Sequence, residues 1–201
     1  MINAAIYIYT FGVLIAAVIA ARGVKLKTRD ICLIGMTAAL TYILDLIRVP
    51  LPTGGSVRLL SVAPIMLLSL VYSYKTALAS GLVTALLLTA LSPAWAPVHP
   101  MQFFVEHLVC TVGLGFAGIF GQKGKNKLLG LSLAGIINLL GHIFAGALFF
   151  GAYAPEGMGV WKYTIIYNMG SQGTEILLSI VCLMAAPTAA LAKSLRKGEN
   201  P

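Results

Sequence analysis

The chain has 201 residues, of which 59% are hydrophobic and 10% charged, and its mean hydropathy is +0.91. These values exclude an ordinary soluble domain, in which about half of the residues are apolar and about a quarter are charged. A membrane-spanning helix needs roughly 20 apolar residues, so the chain holds about six or seven spans and no separate soluble domain. A built-in ATPase is therefore excluded, and no run matches the phosphate-binding pattern GxxxxGK[ST].

Apolar runs separated by Pro, Gly and Lys clusters predict an all-α integral membrane protein with seven helices. The first run has no basic segment before it, so we interpret it as a retained helix rather than a signal peptide. The predicted helices are Ile2–Ala21, Ile31–Val49, Leu59–Tyr74, Thr76–Leu91, Met101–Phe120, Leu128–Phe150 and Tyr163–Ala192.

The 14 lysines and arginines separate onto the two sides of these helices, and only Arg48, Arg58 and Lys162 lie on the less basic side. Because cytoplasmic loops are rich in Lys and Arg, this pattern predicts an outer N-terminus and a cytoplasmic C-terminus. The net charge of +8 then reflects orientation rather than nucleic-acid binding. Three Pro/Gly-rich loops lie outside, at residues 49–58, 92–100 and 151–160. Since binding residues often lie on such loops, we expect the ligand to arrive from outside.

Five ionisable residues lie within the predicted helices, where charge is costly and usually faces a cavity or a partner. They are Asp45, Glu106, His107, His142 and Glu175. Asp45 lies about one turn from the outer end of its helix, so snorkelling to the interface is an equal alternative for it. The other helices place their acids and histidines in the outer half, which predicts a shared outer pocket. The alternative is hydrogen bonding between helices.

The chemistry of this set predicts a flat ligand that is cationic or carries an amine. Aromatic faces attract cations, and buried carboxylates balance their charge. The aromatic residues near the outer side are Trp95, Phe149, Phe150, Tyr153, Trp161 and Tyr163. A zinc site is a weak alternative, because His99 is the only additional histidine. Another alternative is a membrane enzyme or a proton-coupled carrier with Glu106, His142 and Glu175 as a relay.

Three segments carry a resemblance to a known family. They are LPTGGSVRLLSVAPIMLLSL at Leu51–Leu70, HPMQFFVEHLV at His99–Val109, and GHIFAGALFFGAYAPEGMGVWKYTIIYN at Gly141–Asn168. Together they resemble the thiamine-specific substrate-binding (S) component of energy-coupling factor (ECF) transporters, over about residues 30–192. The third segment is the most specific, because its His, Gly, aromatic residue, APxGM-like loop, Tyr and Asn keep the family's order and spacing.

The resemblance implies a six-helix S-component bundle in the cell membrane that has no enzymatic activity. Such a subunit captures thiamine as its substrate, needs no cofactor, and docks on a transmembrane coupling subunit with two cytosolic ATPases. On this reading residues 30–192 form the substrate-binding domain. Residues 1–29 add an N-terminal transmembrane helix with a basic cytoplasmic linker, and residues 193–201 form a basic tail. The whole chain then has seven spans.

The resemblance also implies binding residues. The family's acid, histidine, tyrosine and asparagine correspond to Glu106, His142, Tyr163 and Asn168. Glu106 would balance the charge of the thiazolium ring, and the other three would hydrogen-bond to the aminopyrimidine, whose polar edge must find partners when buried. Further candidates for the thiamine site are His107, Gly146, Phe150, Trp95 and Tyr153.

Two positions depart from the family pattern, since the aromatic residue beside the acid is His107 and the one eight residues after the histidine is Phe150. These departures leave open a thiamine precursor or another flat cationic heterocycle as the ligand. Gly146, one turn from His142, either leaves room for the ligand or lets two helices pack closely. For docking on the coupling subunit, the resemblance implies the small-xxx-small pair Gly35 and Ala39.

Overall fold

The computed structural model describes residues 2–52, 55–92 and 97–197. Within these ranges the chain forms nine α-helices and one β-hairpin. The helices are α1 (Ile2–Ala21), α2 (Thr28–Leu46), α3 (Ala63–Val71), α4 (Tyr74–Leu91), α5 (Val109–Leu114), α6 (Gly124–Phe149), α7 (Val160–Asn168), α8 (Thr174–Ala185) and α9 (Thr188–Lys197). Strands β1 (Arg48–Pro50) and β2 (Ser56–Arg58) pair antiparallel, so that Arg48 lies opposite Arg58.

Two helices contain segments that are not α-helical. A π-helical segment, Phe103–Leu108, precedes α5, and a 3-10 turn, Gly115–Gly118, follows it. A second π-helical segment, Met169–Gly173, connects α7 to α8. With these segments counted as parts of continuous helices, α2 to α8 form a six-helix bundle and α1 is the additional helix. Because π-helical turns are often found at functional sites, we expect a functional site near both segments.

The predicted helix Tyr163–Ala192 is wrong beyond Ala185. The chain bends there by 69°, and α9 continues in a new direction. Pro187 lies in the break, and a proline removes a backbone donor and clashes with the preceding turn. The β-hairpin is also absent from the predicted elements, because its strands of three residues each are too short for a hydrophobic period to show.

Among the residues that the structure describes, three helices are long and apolar enough to cross a membrane, namely Ala4–Ala21, Tyr74–Leu91 and Gly124–Phe149. The bent pair Val160–Ala185 with Thr188–Leu195 makes a fourth when it is counted as one span. Large apolar side chains point away from the bundle, among them Ile8, Met36 and Leu177. In a membrane these side chains contact lipid tails. The number of spans and their orientation stay predictions.

Glycines bring the helices into close contact at the end of the bundle where α6 begins. A Cβ at Gly81 of α4 would lie 2.5 Å from the carbonyl oxygen of Thr111, and one at Gly130 of α6 would overlap the carbonyl oxygen of Ala117. Small residues let helix backbones approach in this way in membrane proteins. Around them lies the main core, with Ile65, Met66 and Leu70 of α3 fully buried.

Helix α1 has a defined place on the bundle, beside α4, α5 and α6. Ile6 and Thr10 form its buried side. The Tyr9 hydroxyl donates a hydrogen bond to the carbonyl oxygen of Ile137, and the Tyr9 ring lies edge-on to Phe144 at 5.0 Å between ring centroids. The additional helix therefore packs against the bundle through both apolar and polar contacts.

We expect Gly130→Ala to lower the stability of the protein by roughly 1–3 kcal/mol, because the neighbour that the methyl group overlaps is backbone and cannot rotate away. Thermal unfolding in detergent measures the effect. The matched control is Gly12→Ala in α1, where a Cβ meets nothing within 4 Å. An equal loss of thermal stability in both variants would contradict close packing at Gly130.

Candidate functional site

A cavity of about 440 Å³ lies at the C-terminal end of α6. The β-hairpin, the two π-helical segments, α6 and α7 all contribute to its walls. Seven of the predicted site residues line it, namely Glu106, His142, Gly146, Phe150, Tyr153, Tyr163 and Asn168. The structure therefore brings together residues that are up to 62 positions apart in the chain, from 106 to 168.

Helix α6 supplies one wall of the cavity through residues at four-residue spacing. His142 and Gly146 are one helical turn apart, so they share a face of this helix, and Phe150 follows directly after its last residue. Facing them is α7, with the rings of Tyr163 and Tyr167 5.8 Å apart. The 440 Å³ cavity is thus bordered by aromatic rings on both sides.

The first π-helical segment carries Glu106 and His107. Glu106 lines both the 440 Å³ cavity and a smaller chamber of about 100 Å³ that adjoins it, whereas His107 lines the smaller chamber. The His107 Nδ1 atom lies 2.8 Å from the Thr89 hydroxyl of α4. His107 therefore lies one space away from most of the predicted site residues, and its role in thiamine binding stays a prediction.

The Glu106 carboxylate has a neutral hydrogen-bond partner. The Gln102 side-chain amide, one turn earlier, donates to its Oε2 at 2.7 Å. Among the residues that the structure describes, no lysine or arginine nitrogen lies within 4.0 Å of this carboxylate. Glu106 thus presents to the cavity a carboxylate without a direct ion-pair partner among the described residues.

Other acids near the cavity are compensated, and Arg58 of β2 is the centre of this arrangement. Its Nε lies 2.5 Å from Asp45 Oδ1, and one of its terminal nitrogens lies 3.9 Å from Glu175 Oε2. Arg48 binds the second oxygen of Asp45 at 2.7 Å. Asp45 is only 4% exposed. It is therefore a buried, ion-paired residue, and the alternative of an interfacial aspartate is wrong.

Gly146 is required for contact between α6 and α7. A Cβ at this position would overlap the Thr164 hydroxyl and lie 3.3 Å from the side-chain nitrogen of Asn168. That nitrogen already donates to the Thr164 carbonyl oxygen at 2.8 Å. Of the two roles that the sequence left open for Gly146, these contacts support close helix packing. The packing in turn positions Asn168 on the cavity wall.

The remaining aromatic candidates have different positions. Tyr153 lies beside Phe150, with 6.2 Å between ring centroids. Phe149 stacks on His99 at 5.8 Å, and Trp161 packs on a residue of α6, so neither is among the residues that line the cavity. Trp95 lies outside the described residues. Within the described ranges no three His, Cys, Asp or Glu side chains are grouped as metal ligands.

Sequence reasoning missed several residues of the cavity wall, including Arg48, Arg58, Tyr167 and Gln172. A signal for the arginines was present, because they are two of the three basic residues on the less basic side of the membrane. Basic residues on this side indicate acidic partners nearby, and both arginines are paired with Asp45. Tyr167 could be found from its position one turn after Tyr163.

Comparison with known proteins gives the family. Residues 31–194 match the family described as thiamine transporter protein. The thiamine transporter ThiT of Bacillus subtilis (strain 168) is 30% identical over 177 residues, which cover 79% of this chain and 91% of the relative. The chain belongs to the thiamine transporter protein family. The resemblance found in the sequence is thereby confirmed.

Two further thiamine transporter relatives agree with this assignment. A ThiT from Lacticaseibacillus paracasei is 37% identical over 115 residues, or 48% of this chain and 56% of the relative. The solved structure of ThiT from Listeria monocytogenes superposes with a TM-score of 0.69 at 21% identity, covering 83% of this chain and 95% of that one. This likeness confirms the fold of the bundle.

Membership of the thiamine transporter family confirms two expectations from the sequence. The chain is a multi-pass membrane protein, and its family is one of transporters rather than enzymes. Helix α1 lies outside the matched residues 31–194. The division into three regions and the binding role of each residue stay predictions.

We expect Gly146→Ala to destabilise the unliganded protein by roughly 1–3 kcal/mol, because its methyl group overlaps Thr164. The second substitution Thr164→Ala removes the closest atom, so the double variant should recover part of the loss. A double-mutant cycle of thermal unfolding without ligand measures this coupling. If the stability losses of the two single variants simply add in the double variant, direct packing of Gly146 on Thr164 would be contradicted. Space for the ligand would then be the role of this glycine.

Proposed function

We propose that this chain is the substrate-capture subunit of an ECF-type transporter, which binds thiamine in the 440 Å³ cavity and passes it to an ATPase-driven coupling module. The observation that carries the proposal is the uncompensated carboxylate of Glu106 in a cavity bordered by aromatic rings. Thiamine consists of two flat aromatic rings joined by a methylene group, and one of the rings carries a fixed positive charge. Aromatic faces and a desolvated carboxylate are the groups that attract such a cation.

The dimensions and polar groups of the cavity support this ligand. Pockets for small molecules usually measure about 300–1,000 Å³, and this one is within that range. Glu106 would balance the thiazolium ring. His142, Tyr163 and Asn168 would satisfy the aminopyrimidine, because a buried polar edge without partners costs free energy. Phe150 and Tyr153 would cover the ring faces.

A relay for protons through Glu106, His142 and Glu175 has less support. Ser61 donates to Glu175 Oε1 at 2.6 Å, and the backbone amide of Val62 donates to the same oxygen at 3.3 Å. These contacts, together with Arg58, make Glu175 a fixed structural acid. Energy for transport would then come from ATPase partners, and the bound thiamine is cargo rather than a cofactor.

We expect Glu106→Gln to weaken thiamine binding about 10- to 100-fold, since it removes the charge but keeps the shape of the side chain. Titration calorimetry of the protein in detergent measures the affinity. Glu156→Gln is the control, because this acid is exposed in the outer loop. Equal affinities of the two variants would sink the assignment of Glu106.

The same titration tests the identity of the ligand. Competition with the free aminopyrimidine and thiazole halves, and with other flat cationic heterocycles, distinguishes thiamine from a precursor. Binding of one half in preference to the whole vitamin would keep the site and change the substrate. Absence of binding by all of them would overturn the proposed function.

Docking on the coupling subunit gives a separate prediction. Gly35 and Ala39 lie exposed on α2, and a Cβ at Gly35 meets nothing within 4 Å. We expect Gly35→Leu to leave thiamine binding unchanged and to reduce thiamine uptake severalfold in cells that contain the coupling module, because close helix contact needs a small residue there. Gly12→Leu on α1 is the matched control. Uptake lost equally in both variants would contradict a docking role for α2.

A further inference from the structure

The charges around the cavity form a set that nearly cancels. Three acids (Asp45, Glu106 and Glu175) and two arginines (Arg48 and Arg58) lie on or directly behind the cavity walls. With the histidines neutral, their formal charges sum to minus one. The ion pairs involve both arginines, Asp45 and Glu175, so the remaining negative charge belongs to Glu106.

Arg58 holds the central position in this set. It lines both the 440 Å³ cavity and the adjoining 100 Å³ chamber, and it lies between Asp45 of α2 and Glu175 of α8. Glu175 is 1% exposed, so it has almost no water to screen its charge. Buried carboxylates of this kind carry a large desolvation cost unless a cation is placed beside them.

We propose that Arg58 is a specificity-determining residue, which together with Arg48 cancels the charges of Asp45 and Glu175 and so limits the cavity to ligands with a single positive charge. This inference rests on the proposed function. Without Arg58 the formal charges of the set would sum to minus two, with Arg48 still paired to Asp45 and Glu175 left without a cation, and the attraction of the site for positive charge would increase. With Arg58 in place, the Glu106 carboxylate balances the single positive charge of the ligand, and the formal charges of site and ligand together sum to zero.

The position of Arg58 on the hairpin adds a second consequence to the charge balance. Arg58 lies on β2, opposite Arg48 on β1, and both guanidinium groups bind the same Asp45 carboxylate. Arg48 donates a hydrogen bond to this carboxylate, and charged hydrogen bonds are among the stronger ones in proteins, whereas Arg58 contributes an ion pair. The carboxylate therefore fixes the hairpin against α2 while it is itself neutralised, so a test must separate the electrostatic role of Arg58 from the structural one.

Two probes make this separation, namely thiamine and its analogue in which an uncharged thiophene replaces the thiazolium ring. The measured quantity is the ratio of their affinities, at mildly alkaline pH so that the carboxylates stay ionised. We expect Arg58→Met to raise the preference for the cation about tenfold and Asp45→Asn to lower it about tenfold, because the two substitutions remove charges of opposite sign close to the ligand. Arg58→Lys should restore the ratio of the unmodified protein.

A purely structural role predicts a different result. Loosening of the hairpin weakens both probes together, so an unchanged ratio in Arg58→Met and Asp45→Asn would overturn the inference. If Arg58→Met fails to fold, Asp45→Asn and Arg58→Lys still decide, since the first must lower the ratio and the second must keep it. Failure of the unmodified protein to bind thiamine would overturn the proposed function and this inference together, whereas binding with an unchanged ratio would overturn the inference alone.

Discussion

Close contact between helices at glycine positions is the constraint on which the rest of the structure depends. Where α4, α5 and α6 meet, glycine positions such as Gly81 and Gly130 leave no space for a side chain. Lipid supplies no hydrophobic force between helices, so such packing is a main source of their association. The same constraint holds α6 against α7 beside the cavity, where a Cβ at Gly146 would overlap the Thr164 hydroxyl.

The cavity end also follows a second constraint, which is the cost of charge away from water. Asp45 and Glu175 are almost fully buried, and Arg58 lies beside both. Glu106 is held by a neutral amide instead, so its charge is left for the ligand. A cavity that neutralised every acid would attract a cation weakly, whereas one that neutralised none would be costly to fold.

Irregular backbone provides the geometry of the site. The two π-helical segments flank residues that line the cavity, with Glu106 inside the first and Asn168 directly before the second. The β-hairpin brings Arg58 over the same space. An α-helix repeats side chains at regular spacing, and a π turn shifts that register locally. The regular helices thus form the bundle, and the π-helical segments and the hairpin position side chains that line the cavity.

Hydropathy and composition were sufficient for the membrane bundle and for the order of its helices, because long apolar runs such as Ile2–Ala21 are local properties of the chain. The ionisable residues within those runs identified Glu106 and His142 of the cavity wall, because an ionisable group among apolar residues needs a reason to be there. The resemblance to the family added five more wall residues, from Gly146 to Asn168. The contacts among them are not local. Arg58 lies between Asp45 and Glu175, His107 faces the smaller chamber, and Gly146 leaves space for the Thr164 hydroxyl. All three follow from how the helices and the hairpin meet in space. Only the tertiary structure decided these partnerships, since the distance between two side chains on different helices depends on packing and not on their spacing in the chain.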